Sequence, residues 1–420
     1  MKHLFAARRV RRSIALDAAA FYVVAACAVA SLAARQTPAK PAAPKTRSSA
    51  AAKKAPMVIV ENKPAAPKTR ASAAAKKAPM VIVENGARPF GGKVVGDPAK
   101  GSIACDHGYV EWQVPQNPRK FPFLMIHASS TKTWQTTFDG RDGFQNIFLR
   151  RGYSVYMTDL PQTGRAGQSC RQYGPYMPRA DNDQASFTTW RIGTWLPGEP
   201  APTFYPGVQF ANDKRALDQF FRIQYPEFNA PENEQIETDA LAVLAKEIGP
   251  SIVLTHSSTG IRGWIFGTKA PGNIAAIVSY EPGTAVFPED EAPPQIPRAD
   301  GMKVDAGNTI PMAAFMNLTR MPIQIVWGDY IPSKMDPKNV GPLLTLDGRR
   351  INVIKSKLMA EAINRHGGHA EVVMLPEIGI TGNTHFIMSD LNNVQIADLL
   401  SQFLKKNGLD QYPAARASQR

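Results

Sequence analysis

In the run from Ser251 to Gly260, SIVLTHSSTG, an apolar stretch breaks into His-Ser and then into a turn of small residues. A strand ending this way delivers a serine on a tight, strained strand-to-helix turn, where its hydroxyl stands clear of the backbone and a substrate carbonyl can reach it. Ser257 is therefore the candidate nucleophile. The usual G-x-S-x-G elbow reads here as Thr255, His256, Ser257, Ser258, Thr259, with the glycine one place late at Gly260. Both threonines are β-branched and crowd a turn that glycine would leave free. Ser258, two places before Gly260, is the nucleophile of a shifted register; the strand ending at Thr255 and His256 before Ser257 favour Ser257. The competing structural reading is a serine that only caps the next helix.

A serine that attacks an acyl carbon needs a base to take its proton and an acid to orient that base, in whatever order folding assembles them. His3 lies in the N-terminal segment, His127 ends an apolar run, His256 must point away from Ser257, His107 precedes the core, and His366 and His369 come before the last strand. His385, in GITGNTHFIM, follows that last strand and is the candidate base; its alternative role is to cap the helix from Ser389 onward. Two carboxylates compete for the acid. Glu281 and Asp329 both end apolar strands, at the edge where open α/β sheets bind ligands, and physics alone does not choose between them. The oxyanion donors expected are the backbone N–H groups of Ser258, after the nucleophile, and of Ser129, in IHASSTKTW.

These residues require a sheet with one functional edge. Strands are expected at Val110 to Val114, Phe121 to Ala128, Tyr153 to Asp159, Ser251 to Thr255, Ile274 to Glu281, Ile323 to Gly328 and Ala370 to Leu375, and helices at Gly143 to Arg151 and Thr238 to Ile248. Such alternation implies an α/β fold with a mostly parallel sheet covered by helices on both faces. Two stretches break the rhythm, about 170–234 and 283–320, and inserts of this length act as caps or lids. Trp190, Trp195, Tyr205 and Phe210 in the first suggest an apolar cleft or simply packing.

Of 49 Lys and Arg and 35 Asp and Glu in 420 residues, 16 and 3 lie in residues 1–86, leaving 33 bases against 32 acids in residues 87–420. The folded part is nearly neutral, which argues against a nucleic-acid partner. Residues 1–34 read as an export signal, with Arg8, Arg9, Arg11 and Arg12 before the apolar run Phe21 to Ala34. Export with cleavage, to the periplasm or the medium, is favoured over lipid anchoring at Cys27 in its Val24-Ala25-Ala26-Cys27 context. Residues 40–62 recur as 63–85 with one difference, Ser48 against Ala71. A basic disordered linker over 35–86 is the expectation, with contact to an anionic cell envelope as its alternative role. The apolar MVIV of each copy could instead add a strand to a sheet edge. Cys105 and Cys170 are left as one candidate disulfide in an oxidising compartment, and no cysteine or histidine pattern suggests a metal.

Taken together, His127-Ala128, the run DLPQTGRAGQS from Asp159, the elbow and the late His385 resemble the α/β-hydrolase fold, in the order serine, acid, histidine. The runs TWQTTFDGRDGF, SYEPG and GITGNTHFIM resemble a group of exported bacterial serine esterases in that superfamily, from about Arg88 to Leu404. The resemblance implies that the triad acid is Glu281, with Asp329 the alternative from position alone. It departs from the pattern at Ala128, where a glycine is usual, and at Thr255 and Thr259. The expectation is an α/β-hydrolase domain over 87–412 with a tail at 413–420, acting on a small-molecule carboxylic ester without a cofactor. A lactonase or amidase on the same triad, or a binding protein on the same scaffold, remains the alternative, and the sequence leaves a homodimer open.

Overall fold

The computed structural model describes residues 79–127, 132–167, 169–170, 182–223 and 232–413, all within the second of two compact units, Ala75–Arg420. The export segment, the first repeat copy, most of the second, and Ser129 lie outside the described residues.

Eight strands make the main sheet: β1 Ile82–Phe90, β2 Gly108–Pro115, β3 Phe123–Ile126, β4 Val155–Asp159, β5 Ser251–His256, β6 Ile274–Tyr280, β7 Pro322–Trp327 and β8 His369–Met374. They run in the order β1-β2-β4-β3-β5-β6-β7-β8. The pairs β1/β2 and β2/β4 are antiparallel, and every pair from β4/β3 to β7/β8 is parallel. Alternation along the central strands supplies two cores: Leu124, Ile126, Val253 and Ile277 face one way, and Phe123, Met125, Ile252, Leu254 and Val278 the other. Side chains of a strand alternate across the sheet, and burial on both faces makes these strands nearly continuous apolar runs.

Helices cover both faces. On one side pack α4 Asn233–Ile248, α5 Gly260–Lys269 and α6 Leu344–Arg365, through Leu241, Trp264 and Met359; on the other pack α1 Phe144–Arg150 and α7 Asn393–Lys406, through Phe148, Ile396 and Leu400. The helices α2 Asp183–Thr189 and α3 Lys214–Arg222 belong to the first insert, together with the strand pair Gly193–Thr194 and Thr203–Phe204. The second insert holds two more small strand pairs. Cys105, at the end of the hairpin Lys93–Asp97/Gly101–Cys105, is disulfide-bonded to Cys170 at the start of the first insert.

One boundary is corrected. The disordered linker was expected to reach residue 86, but Ile82–Gly86 are already part of β1. Edge pairing satisfies backbone groups that a linker would leave to water, and the Trp112 indole lies across Gly86 while its Nε1 donates to Glu84 Oε1 at 2.8 Å. A Cβ at position 86 would come within 2.4 Å of that indole. The first copy has Lys63 at the equivalent place, so only the second copy is suited to this contact.

Candidate active site

The turn after β5 holds Ser257 at φ 56°, a left-handed conformation costly for a non-glycine residue. Hydrogen bonds hold it there. Thr259 Oγ1 accepts from the His256 N–H at 3.0 Å and donates to the His256 carbonyl at 2.8 Å, and the Gly283 N–H donates to the Ser257 carbonyl at 3.0 Å. Thr255 is buried one turn below, its Oγ1 donating to Ser279 Oγ at 2.8 Å. The crowding expected of Thr255 is relieved from the helix side: a Cβ at Gly263 of α5 would meet the Thr255 methyl at 2.9 Å. The elbow's late glycine also makes room, since a Cβ at Gly260 would come within 2.5 Å of the Pro282 side chain.

Three elements bring their chemistry to this point. Ser257 Oγ lies 2.9 Å from His385 Nε2, and His385 Nδ1 lies 2.6 Å from Glu281 Oε2. Glu281 follows β6 at φ 49° and is fully buried. Its other oxygen, Oε1, accepts from the Gly328 N–H at 2.9 Å and from Arg191 Nη2. Asp329 does not reach the imidazole. Its Oδ2 accepts from the Gly382 N–H at 2.8 Å, and its N–H donates to the Asn383 carbonyl at 2.8 Å, so it anchors the loop that carries His385. Ser258, the residue after Ser257, is exposed.

Sequence reasoning missed the supports of His385. His256 Nε2 lies 2.8 Å from the His385 carbonyl and Nδ1 lies 2.8 Å from His127 Nε2. A carbonyl can only accept, so His256 carries its proton on Nε2, and its bare Nδ1 accepts from a His127 protonated on Nε2. Both rings are held neutral by burial, His127 pushed down to about 3 and His256 well below the usual range. Asp390 fixes the same loop, accepting from the Thr384 N–H, Thr384 Oγ1 and Asn383 Nδ2. Burial pushes its carboxyl up to about 7.

The insert also reaches the centre. The His385 N–H donates to the Trp190 carbonyl at 3.0 Å. The next residue, Arg191, is fully buried, donates from Nε to the Asp329 carbonyl at 2.7 Å and ion-pairs with Glu281. Nothing in the local sequence TTWRIGT singles out this arginine. The insert's aromatics are mostly packing: Phe210 is buried against Phe138 and Phe220, and Trp190 stands edge-on to Phe386 beside His385.

Burial pushes the His385 imidazole well below the usual histidine range, and the positive charges of Arg349 and Arg191 act in the same direction. The Glu281 charge that would stabilise an imidazolium is already shared with Arg191. A neutral imidazole with Nδ1–H on a carboxylate and Nε2 bare toward a hydroxyl can take that hydroxyl's proton.

No family model matches the chain. Over 323 residues it is 30% identical to the "Probable secreted lipase phiG" of a fungal strain (Fungal sp., ATCC 74256), covering 71% of this chain and 85% of the relative. Its fold superposes on the atomic-resolution structure of a novel bacterial esterase with a TM-score of 0.61 and 25% identity, over 78% of this chain and 97% of that one. The fold is thus shared with an esterase along nearly the whole of that molecule, and the chain belongs to the α/β-hydrolase family of esterases and lipases.

Proposed function

We propose that the protein hydrolyses carboxylic esters through an acyl-enzyme formed on Ser257, with His385 as base and then acid and Glu281 as the carboxylate that orients it. The single observation that carries this reading is the unbroken relay from Ser257 Oγ through the imidazole to Glu281, at 2.9 and 2.6 Å. Ser257 Oγ attacks the acyl carbon as its proton passes to His385 Nε2, and the carbonyl electron pair moves onto oxygen. The tetrahedral oxyanion is received by the Ser258 N–H and by the N–H of Ser129. Its collapse breaks the bond to the alcohol oxygen, which leaves with the Nε2 proton. Water then attacks the acyl-enzyme by the same route and releases the acid.

Residues 82–412 form the catalytic domain in this reading, the segments 170–234 and 283–320 cap its functional edge, and residues 1–34 direct export. Support for export comes from the relative described as secreted; among the described residues, no helix is long and apolar enough to cross a membrane.

The test is Ser257→Ala assayed on p-nitrophenyl butyrate, with a fluorophosphonate probe run in parallel. Loss of both turnover and labelling in a folded variant is expected. Labelling that persists in Ser257→Ala, or a wild type that neither turns over esters nor reacts with the probe, overturns the assignment.

A further inference from the structure

Beside the relay, polar groups converge that the proposed reaction does not use. Arg191 spends Nη2 on Glu281 and Nε on the Asp329 carbonyl, but its Nη1 is buried and has no hydrogen-bond partner among the described residues. A guanidinium nitrogen shut from water with nothing to donate to is costly, the more so because it is charged. The helix α2, which leads directly into Trp190 and Arg191, packs on the turn Gly341–Leu343 that opens into α6. Arg349 sits in the second turn of α6, half-buried, with no hydrogen bond or ion pair among the described residues. Its charge acts on Arg191, on Glu281 and on His385. The Tyr205 ring stacks 4.6 Å from that of Tyr330, the residue after the carbonyl that Arg191 holds, and Tyr205 also feels the Arg191 charge. Its hydroxyl makes no hydrogen bond among the described residues.

The charge balance of this corner is uneven. Arg191 is ion-paired to Glu281, Arg349 makes no ion pair among the described residues, and the nearby His127, His256 and His385 are held neutral by burial. Packing over Arg349 and then the like charge of Arg191 push its guanidinium down to about 10, against the opposing charge of Glu281. The guanidinium fork of Arg349, the one remaining nitrogen of Arg191 and a phenol are a donor set suited to a carboxylate, since a planar fork can bind both oxygens and the bonds are charge-assisted.

We propose that Arg349, the free Nη1 of Arg191 and the Tyr205 hydroxyl form a carboxylate-binding subsite next to His385, so that the preferred substrates are esters carrying a second, free carboxylate. This deepens the esterase reading and rests on it for the word substrate.

The experiment compares p-nitrophenyl butyrate with the p-nitrophenyl half-ester of glutaric acid, in the wild type, Arg349→Met and Arg349→Lys. The wild type is expected to favour the half-ester in kcat/KM by ~10-fold or more, the worth of one charge-assisted contact. Arg349→Met should abolish that preference by raising KM for the half-ester, read as the ratio of kcat/KM for the two esters so that the effect of the lost charge on His385, common to both, cancels; Arg349→Lys should keep part of it. An equal loss on both esters, or a preference that survives in Arg349→Met, overturns the subsite. Calorimetric titration of glutarate into Ser257→Ala protein separates this result from the fate of the triad. Glutarate should bind there and fail to bind when Arg349→Met is added, even if no ester proves to be a substrate. If chloride or phosphate binds with Arg349 dependence but glutarate and the half-ester do not, the site holds a structural inorganic anion and the substrate proposal falls.

Discussion

Arg191 and Glu281 are ion-paired and both fully buried, one delivered by the insert and the other by the end of β6. Glu281 can turn only Oε2 toward His385 because Oε1 is held by Arg191 and by the Gly328 N–H. The backbone of the preceding residue, Trp190, holds His385 itself. Two consecutive insert residues therefore brace two members of the relay, and the geometry of the centre depends on how the insert is docked.

Arg191→Met is expected to lower kcat by roughly 10- to 100-fold with little change in KM, the worth of a charge-assisted bond to a buried carboxylate. The acid limb of kcat/KM should also move. Burial, Arg349, Arg191 and His127 all hold the His385 pKa down, so the wild type should stay active below the usual histidine range; removing the Arg191 charge raises that pKa and shifts the limb to higher pH. Arg191→Lys keeps the charge but cannot span both Glu281 and the Asp329 carbonyl, so it should restore the limb and only part of the rate. A pH profile identical in all three proteins would show that Arg191 is only packing.

Glu281→Gln and Asp329→Asn, assayed side by side on one ester, separate the two carboxylates. Glu281→Gln puts an amide against His385 Nδ1 and can fix the wrong tautomer, for which losses near 10³–10⁴ in kcat are the expected scale. Asp329→Asn retains an oxygen to accept the Gly382 N–H, so a loss within about tenfold is expected. The reverse order would make Asp329 the acid.

Much of this architecture is legible in the chain because central strands of a parallel sheet are apolar on both faces. The runs ending at Ile126, Asp159, His256 and Tyr280 stand out for that reason, as does the order of serine, acid and histidine along their edge. Glu281 and Asp329 cannot be told apart by position, since both leave the sheet at the same edge; that Glu281 is the one that reaches His385 Nδ1 depends on rotamer and loop path. Arg191 was illegible because its partner is 90 residues away and its segment has no periodicity. The 22-residue helix Leu344–Arg365 is hard to read from the sequence because GRRINVIKSK interrupts its apolar stripe with charges. His256 and His127 looked like buried bystanders, and only their mutual hydrogen bond reveals that they brace the His385 carbonyl.

The elbow threonines, which sequence alone left as an anomaly, yield a stability test. Gly263→Ala should cost about 1–3 kcal/mol, because its methyl would sit 2.9 Å from the Thr255 methyl in a packed helix-to-sheet contact. The same substitution in a Thr255→Gly background should cost less, a coupling of roughly 0.5–3 kcal/mol read from urea unfolding of the four proteins. Additive losses would mean that Gly263 answers to some other neighbour.

Asp390 makes stability depend on pH in an unusual direction. Its folded carboxyl is raised to about 7 by burial, with the Glu281 charge adding to that and the bonds from Thr384 and Asn383 opposing it. The unfolded chain returns it to the ordinary value of 3.8. Between these two values the native state binds the extra proton, so this group's contribution to stability is full below about pH 4 and is lost as pH rises toward 7. The swing has an upper bound of roughly 4 kcal/mol for a shift of this size. Asp390→Asn mimics the protonated form, with an oxygen to accept from Thr384 and an amide that cannot ionise. The variant should be little changed near pH 4.5 and more stable than the wild type near pH 7.5, in urea unfolding followed across that range. Other groups titrate identically in both proteins and cancel in the difference. A difference that is flat with pH would mean that Asp390 is ionised throughout, and that its three hydrogen bonds outweigh its burial.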